Sequence, residues 1–311
     1  MPTALITHPA CLEHDVGAWH PECPDRLRAV LRALEGEGFA DLLREAAPLA
    51  TLDQLARAHS PEYVEAILAI RPAPGETLAL DADTLMGAGS AEAALGAAGG
   101  AVAGVDAAME GWARAVFVAT RPPGHHAEPA RAMGFCLFNN VAVAAHHARA
   151  RWRKRRIAVV DFDVHHGNGT QAMFAADPDL FYGSSHQYPC YPGTGRPSER
   201  GVANNVVNAP LPPGSDGQAF RAAWREVILP ALDDFAPEFL IVSAGFDAHR
   251  ADPLAQLRVE AVDFAWLTAE LVGMAARHTD GRIVSVLEGG YDLDALAASA
   301  AAHVRALMQV D

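Results

Sequence analysis

The stretch IAVVDFDVHHGNGT, residues 157–170, joins a short apolar run to two aspartates, two histidines and an asparagine. Such a run, followed by turn-forming residues, is typical of a strand buried in a parallel sheet. Turn formation explains the glycines and the asparagine, because these residues favour turns. It does not explain Asp163 and His165, whose two-residue spacing puts both side chains on one face of an extended chain. A simple turn and a chemical role are both open for this segment.

Short apolar runs alternate with helical patterns along the rest of the chain. Strands are predicted at 4–7, 115–119, 157–161, 180–184, 206–209, 239–244 and 283–288. Helices are predicted at 25–37, 61–70, 90–109, 140–152, 216–235, 259–277 and 292–308. Strands separated by helices indicate an α/β fold with a largely parallel central sheet and helices on both faces. Since no low-complexity linker divides the chain, we expect one domain over residues 1–311.

The composition narrows the classes of function. The net charge of -14 argues against nucleic-acid binding, because phosphate contacts need a basic surface. No apolar run reaches the length of a membrane span, and the first residues, MPTALITHPACLEH, lack the features of a secretory signal. Four cysteines without a CxxC pair indicate neither a disulfide framework nor a thiolate metal site. The sequence predicts a cytoplasmic protein without membrane association, and leaves homo-oligomer formation open.

Polar side chains follow four of the predicted strands. The segments are TRPPGHHA after 115–119, FDVHHGNG after 157–161, GFDAH after 239–244 and GGY after 283–288. Ligands of open parallel sheets bind outside the carboxyl ends of the strands. Turn chemistry explains one such strand end but not four. We therefore predict an active site at the C-terminal ends of the strands.

Asp163, His165 and Asp247 form a plausible set of three metal ligands. Three protein ligands with one position left open are expected of a catalytic rather than a structural zinc site. Nitrogen and oxygen ligands without thiolates also fit iron or manganese, so the residues alone do not choose the metal.

The adjacent His125 and His126 are candidate bases. Asp161 and Asn168 are suited to accept hydrogen bonds from their rings, which fixes the tautomer of each imidazole. If Asp161 serves His125 and Asn168 serves His126, one ring suits charge stabilisation and the other general base catalysis. Tyr291 either places its phenol against a developing oxyanion or covers the start of the last helix.

In combination, these segments resemble the zinc-dependent histone deacetylase superfamily, which also contains bacterial acetylpolyamine amidohydrolases and shares the arginase fold. The resemblance rests on RPPGHHA, MGFCLFNN, DFDVHHGNGT, YPGTG, SAGFDAHRADPL and LEGGYDL, and extends from HPECPDR at 20–26 to Leu293. Asn168 and the two prolines of RPPGHH are similar to the class II branch, which includes bacterial histone deacetylase-like amidohydrolases.

The resemblance implies catalytic roles, residue by residue. The ligands of Zn²⁺ would be Asp163, His165 and Asp247. His126 would be the general base and then the acid that protonates the leaving amine. His125 would stabilise charge while bonded to Asp161, with Asn168 beside His126 and Tyr291 against the tetrahedral intermediate.

The resemblance also implies how substrate and a structural K⁺ are held. Gly134 would offer its carbonyl to the substrate amide, Phe135 and Tyr191 would enclose the acyl-lysine stem, and Arg26 would line an inner channel for acetate. The K⁺ site, mostly made of backbone carbonyls, would involve Asp161, Asp163, His165, Ser184 and Ser185.

The substrate is expected to be an ε-N-acyl-lysine in a protein or peptide, which would release acetate and a free amine. Leu254 stands where polyamine-specific relatives carry an acidic residue, and leucine offers no charge for a second ammonium group. Leucine could equally be a packed loop residue, so an acetylated polyamine or another small amide is the alternative substrate. A non-catalytic acyl-lysine binding module is less favoured, because every catalytic position is filled.

Several other histidines have weaker patterns. His8, His14 and His20, with two cysteines nearby, suggest either rim and hydrogen-bonding residues or a second metal site. The pair at 146–147 is expected at the surface or in packing. His186 and His249 are expected beside the site.

Overall fold

The computed structural model describes residues 2–309, so residues 1, 310 and 311 of the expected domain lie outside the described part. The strands are Thr3–Thr7 (β1), Leu43–Ala46 (β2), Leu78–Ala79 (β3), Leu85–Met86 (β4), Ala115–Val118 (β5), Ile157–Asp161 (β6), Leu180–Gln187 (β7), Val206–Leu211 (β8), Phe239–Ala244 (β9) and Ile283–Leu287 (β10). The helices are Pro24–Ala33 (α1), Leu52–Leu55 (α2), Pro61–Ala69 (α3), Ser90–Glu110 (α4), Asn140–Trp152 (α5), Asn168–Phe174 (α6), Gly217–Ala223 (α7), Leu229–Phe235 (α8), Ala261–His278 (α9) and Leu293–Leu307 (α10).

Eight strands form one sheet in the order β2-β1-β5-β10-β9-β6-β7-β8, and all of its neighbouring strands pair in parallel. The remaining two, β3 and β4, form a small antiparallel pair. The prediction of a largely parallel central sheet is confirmed. Each of the seven predicted strands is present, with ends that differ by up to three residues.

Helices cover both faces of this sheet, because its strands are apolar on both sides. In β5, Ala115 and Phe117 pack into one core and Val116 and Val118 into the other. The first core contains side chains of α1, α9 and α10, and the second those of α4 and α5. This alternation follows from the two-residue period of a strand, and it accounts for the continuous apolar runs in the sequence.

Other elements differ from prediction for local reasons. The predicted helix 216–235 contains a π-helical turn at Trp224–Ile228, which ends two residues before Pro230, and Pro230 has no backbone N–H to donate. The predicted helix 25–37 ends at Ala33, since the next residues contain two glycines. β2 was not predicted, because its sequence LREA is exposed and lacks an apolar run.

The four strands followed by polar segments are immediate neighbours in the sheet. They are β5, β10, β9 and β6, which lie side by side in its centre. Their C-terminal ends therefore bring the histidine pair, Tyr291, Asp247 and Asp163 to one edge. Over residues 2–309, every helix is too short or too polar to span a lipid bilayer.

Candidate functional site

Three buried side chains at this edge could hold a metal ion. One ligand atom from each of Asp163, His165 and Asp247 lies within 4.8 Å of the other two. The Nδ1 atom of His165 lies 3.1 Å from Asp163 Oδ1 and 3.1 Å from Asp247 Oδ2. Within residues 2–309, no second group of three such side chains occurs.

The backbone orients both carboxylates of this group. The N–H of Gly289 donates to Asp163 Oδ2 at 2.8 Å, and the N–H of Val164 donates to Asp247 Oδ1 at 2.8 Å. The oxygen that remains on each carboxylate faces His165. A Cβ atom on Gly245 would lie 2.0 Å from Asp163 Oδ2, so this position requires glycine. Two carboxylates and one imidazole, held in place and buried, fit a divalent cation such as zinc.

The adjacent imidazoles have different Nδ1 partners. His125 Nδ1 lies 2.9 Å from Asp161 Oδ2, and His126 Nδ1 lies 2.8 Å from Asn168 Oδ1. Both rings are buried. The amide of Asn168 also donates to Glu128 Oε1 at 2.9 Å, which orients its oxygen toward His126.

These partners separate the pKa values of the two rings. Burial lowers the pKa of His125, but the carboxylates of Asp163 and Asp161 outweigh that effect and raise it to about 10. Burial lowers the pKa of His126 well below its usual range, and the charge of His125 lowers it further. His126 is therefore neutral at pH 7 and able to accept a proton, while His125 carries a positive charge.

A cavity of about 210 Å³ opens above these groups. It is lined by Asp83, His126, Gly134, Phe135, His165, Tyr191, Leu254 and Tyr291. One cavity thus contacts a metal-ligand candidate, a base candidate and a phenol, together with most of the residues assigned to substrate binding. Tyr191, which is 38% exposed, packs its ring edge-on to His126.

A tight turn forms the wall of the cavity at Phe135. Met133 and Cys136 exchange backbone hydrogen bonds, and both residues between them have positive φ: 57° for Gly134 and 68° for Phe135. The N–H of Gly134 donates to Asp83 Oδ1 at 3.2 Å, and that of Phe135 to the hydroxyl of Thr84 at 3.1 Å. These bonds give both N–H groups of the turn a side-chain acceptor.

Tyr291 lines the same cavity, with its ring centre 5.8 Å from that of Phe135, and lies beside Arg26. The Arg26 guanidinium lies 4.7 Å from the centre of the Tyr291 ring and donates to the carbonyls of Gly290 and Glu288. Burial holds the pKa of the Tyr291 phenol well above its usual range, although Arg26 opposes that shift. The phenol therefore keeps its proton and can donate it in a hydrogen bond.

Three of the residues assigned to K⁺, Asp161, Ser184 and Ser185, lie in the adjacent strands β6 and β7, and the other two, Asp163 and His165, follow the end of β6. Asp161 pairs in register with Ser184. The Asp161 carboxylate accepts hydrogen bonds from His125 and from the Tyr182 hydroxyl, the latter at 2.9 Å. The hydroxyl of Ser185 accepts a hydrogen bond from Trp224 Nε1 at 2.9 Å. These hydroxyl and carboxylate groups therefore have partners within the protein.

Four buried or half-buried residues of the site were not singled out from the sequence: Glu22, Asp83, Arg121 and Glu288. Glu22 accepts hydrogen bonds from Arg121 and Arg26 beneath the cavity. Burial raises the pKa of Glu288 to about 7, although the charge of His125 opposes that shift. Three of them could have been found from the motif segments that contain them: Glu22 in HPECPDR, Arg121 in RPPGHHA and Glu288 in LEGGYDL. Asp83 lies in none of these segments.

The remaining histidines have protein partners. His14 bonds to Ser90 and lies 3.2 Å from Glu22, and both ring nitrogens of His20 lie near backbone atoms. His147 is buried and bonds to Asp106 at 2.7 Å, so it has a packing role rather than a surface one. His186 is buried behind the site against Ser184 and Gly195.

Known proteins share this fold and these motifs. Residues 20–307 match the family described as "Histone deacetylase domain". The chain is 40% identical to the histone deacetylase-like amidohydrolase of Pseudomonas aeruginosa, with 91% of this chain and 77% of that protein covered. It is 38% identical to the chloroplastic histone deacetylase 14 of Arabidopsis thaliana, with 94% of this chain and 74% of that protein covered. The crystal structure of the HDA15 HD domain matches with a TM-score of 0.92 at 35% identity, and the match covers 99% of this chain and 90% of that chain.

Proposed function

Because the chain belongs to the histone deacetylase family, we propose that it is a zinc-dependent amidohydrolase that removes acetyl or other acyl groups from amines. The observation that carries this proposal is the single cavity that His165, His126 and Tyr291 line together. It unites a metal-ligand candidate, a neutral imidazole and a protonated phenol around one volume. The relatives named above are a deacetylase and an amidohydrolase, which supports hydrolysis of an amide bond.

Each residue of the site has a different role in the proposed reaction. Zinc held by Asp163, His165 and Asp247 would polarise the acyl carbonyl and acidify a water molecule. His126 accepts the proton of the attacking water and passes it to the nitrogen as the C–N bond breaks. Tyr291 donates a hydrogen bond to the oxyanion that forms on the carbonyl oxygen. The products are a carboxylate, acetate for an acetyl substrate, and a free amine.

The charge balance supports this division of roles. His125 lies between the carboxylates of Asp161 and Asp163 and remains protonated, so its positive charge offsets part of the negative charge at the metal site. His126 gains no such carboxylate, because its partner Asn168 is neutral. We infer that His126 exchanges the proton while His125 stabilises charge. A structural K⁺ held by carbonyls near Asp161 and Ser184 would add fixed positive charge behind the metal site.

The cavity wall favours a long, neutral stem. Phe135 and Tyr191 line the cavity with aromatic rings, and Leu254 adds an apolar side chain. Such a wall suits the methylene chain of ε-N-acyl-lysine, which we propose as the substrate. Asp83 supplies the one carboxylate in the lining, and that carboxylate favours the alternative, an acetylated polyamine with a second ammonium group.

A kinetic comparison on zinc-loaded enzyme separates the two substrates. Acetyl-lysine peptides, longer acyl-lysines, and acetylated spermidine and putrescine are assayed for kcat/KM. We expect the peptides to be better substrates. A polyamine that exceeded them by more than about tenfold, or about 1.4 kcal/mol in transition-state binding, would exclude the acyl-lysine assignment. Asp247→Ala should lose zinc in the same preparation, and retention of zinc would exclude the ligand assignment.

Two further predictions from the sequence are kept as proposals. We propose one catalytic domain, because all the strands at the site belong to one sheet. A cytoplasmic location also stays a prediction, and homo-oligomer formation stays open.

A further inference from the structure

Glu288 follows β10 directly and lies at the centre of the sheet edge that carries the site. In the sheet, β10 has β5 on one side, which precedes His125 and His126, and β9 on the other, which precedes Asp247. The side chain of Glu288 is fully buried. None of the catalytic roles proposed above uses its carboxylate.

That carboxylate contacts the backbone of the loop that holds the two histidines. Its Oε2 atom accepts hydrogen bonds from the N–H of Gly124 at 2.6 Å and from the N–H of His125 at 3.2 Å. The Ser243 hydroxyl, at the end of β9, lies 3.4 Å from Oε1. Buried backbone N–H groups are costly when they lack a partner, so both bonds resist displacement of the loop.

The opposite side of the same loop is also held. The side-chain amide of Asn140 donates to the carbonyl of Pro122 at 3.2 Å. A Cβ atom on Gly124 would lie 2.5 Å from the backbone nitrogen of Asn140, so the loop and the start of α5 are in close contact. The loop is therefore clamped between Asn140 and Glu288. The positions of His125 and His126 depend on that clamp, because both residues directly follow Gly124.

We propose that Glu288 is a positioning residue that holds His125 and His126 at the reacting groups through two backbone hydrogen bonds. Its side chain is not part of the cavity lining, so it acts through the loop and not on the substrate. This inference rests on the function proposed above. According to this inference, Glu288 affects catalysis through its acceptor oxygen and not through its charge.

Two substitutions separate the acceptor from the charge. Glu288→Gln keeps a carbonyl oxygen at the same distance along the side chain and removes the charge, whereas Glu288→Ala removes the acceptor. Since a misplacement of about 1 Å can cost about 100-fold in rate, we expect kcat of Glu288→Ala to fall about 100-fold with little change in KM. Glu288→Gln should retain kcat within about tenfold of wild type. Ser285→Ala, which alters another buried polar residue of β10 that bonds to His303, is the matched control and should retain kcat.

Amide hydrogen exchange of the segment 120–127 provides a readout that does not need turnover. The two prolines there carry no amide hydrogen, so the segment reports on six amides, which include those of Gly124 and the two histidines. We expect faster exchange of this segment in Glu288→Ala, wild-type rates in Ser285→Ala, and equal zinc content in all variants.

The outcomes distinguish this inference from the proposed function. A folded Glu288→Ala enzyme with wild-type kcat and exchange would overturn it, and so would a loss in Glu288→Gln as large as that in Glu288→Ala. If wild type hydrolysed none of the acylated amines, the proposed function would fail. Hydrogen exchange would then still decide whether Glu288 holds the loop.

Discussion

The two adjacent histidines of the site have Nδ1 partners of different charge. Asp161 brings a carboxylate to His125, and Asn168 brings an amide to His126. A carboxylate favours the protonated ring far more than an amide does. The pair therefore separates into a charged ring and a neutral ring, which is the separation that acid–base catalysis near pH 7 requires.

Replacing Asn168 by aspartate should remove part of that separation. A carboxylate next to Nδ1 would stabilise protonated His126 and raise its pKa. Because His126 must be neutral to accept a proton, the acidic limb of the pH profile of kcat/KM should move to higher pH. An unchanged profile would mean that Asn168 does not act on His126.

The control for Asn168→Asp changes Glu128, which accepts a hydrogen bond from the Asn168 amide at 2.9 Å. In Asn168→Asp, two carboxylates would face each other and compete for a proton. Adding Glu128→Gln restores a donor at that position. We expect the double variant to keep the shifted acidic limb, and Glu128→Gln alone to keep the wild-type profile.

Tyr291→Phe should lose most of the activity without losing binding. Removing one hydrogen-bond donor to an oxyanion costs about 10²–10³ in kcat. The ring contacts of Tyr291 with Phe135 and Arg26 do not need the hydroxyl, so the fold and the affinity for an acetyl-lysine peptide should be unchanged. The measurements are kcat and peptide binding by calorimetry. If wild type showed no turnover and both proteins bound the peptide equally, the chain would be a binding module instead.

The side chains with recognisable chemistry could be predicted from the sequence, and those that act through the backbone could not. Asp163, His165 and Asp247 belong to motifs whose residue types imply metal binding, and the structure brings them together. Asp83 lies outside the motif segments, and Glu288 lies inside LEGGYDL, but neither residue's sequence position indicates which backbone group it contacts. Their contacts with Gly134 and Gly124 join residues 51 and 164 positions apart, and no local pattern reports such a distance.

The turn at Met133–Cys136 is a small element whose backbone conformation matters to the site. Phe135 has φ of 68°, a region that costs a non-glycine residue about 1–2 kcal/mol. The turn keeps this conformation because Asp83 and Thr84 accept its two N–H groups. The strain is local, and the benefit is an aromatic ring on the cavity wall.

Two substitutions of Phe135 should distinguish the effect of backbone strain from the effect of removing the aromatic ring. Phe135→Gly and Phe135→Ala both remove the ring, so both should raise KM for acyl-lysine peptides. Glycine adopts positive φ without the steric cost, so Phe135→Gly should be more stable than Phe135→Ala by about 1 kcal/mol. Urea unfolding measures the difference. Equal stabilities would show that the backbone of this turn relaxes when the ring is removed.

Helices and strands with a long apolar periodicity could be predicted from the sequence. Those that depend on pairing with a neighbouring strand, or on a local irregularity within a helix, could not. The central strands and α4, α5 and α10 lie within a few residues of prediction. β2 exists because its backbone pairs with β1 at the edge of the sheet, which its exposed residues do not indicate. The π-helical turn before α8 has an ordinary helical composition, and only its location before Pro230 distinguishes it.

The order of the strands in the sheet brings the site residues together, and this order could not be predicted from the sequence. Strand ends with polar residues indicate an edge, but any order of parallel strands is compatible with alternation of strands and helices. In the structure, β5, β10, β9 and β6 are consecutive neighbours, although their residues range from 115 to 287. Non-local pairing of this kind depends on how helices pack on both faces, so the sequence predicted the edge and not the arrangement along it.

Buried neutral histidines make the whole molecule sensitive to acid. Burial lowers the pKa of His303 to about 3 and that of His59 to about 4. The N–H of Asn139, at the start of α5, donates to His59 Nε2 at 2.8 Å, so protonation of this nitrogen would break that bond. His303 lies in the core between the hydroxyls of Thr268 and Ser285.

The sign of the effect follows from the direction of these shifts. Each folded-state pKa lies below the ordinary value of 6.5 that the unfolded chain has. Between that value and the folded pKa, the unfolded chain binds more protons, so the free energy of unfolding falls as the pH is lowered. The window extends from about pH 6.5 down to about pH 3 for His303.

His303→Gln should reduce this dependence. Unfolding of the variant takes up one proton fewer. The slope of its unfolding free energy against pH should therefore be flatter than that of wild type by at most about 1.4 kcal/mol per pH unit. At pH 7 the variant should be less stable than wild type, because two hydroxyls lose their imidazole partner, but its stability should fall less steeply between pH 6.5 and 4.5. Urea unfolding in the presence of a chelator measures both, since zinc binding has its own pH dependence. The control is Ser299→Ala, which lies in the same helix and changes no ionisable group. It should shift the curve of unfolding free energy against pH without changing its slope. An unchanged slope in His303→Gln would show that His303 is not part of the acid response.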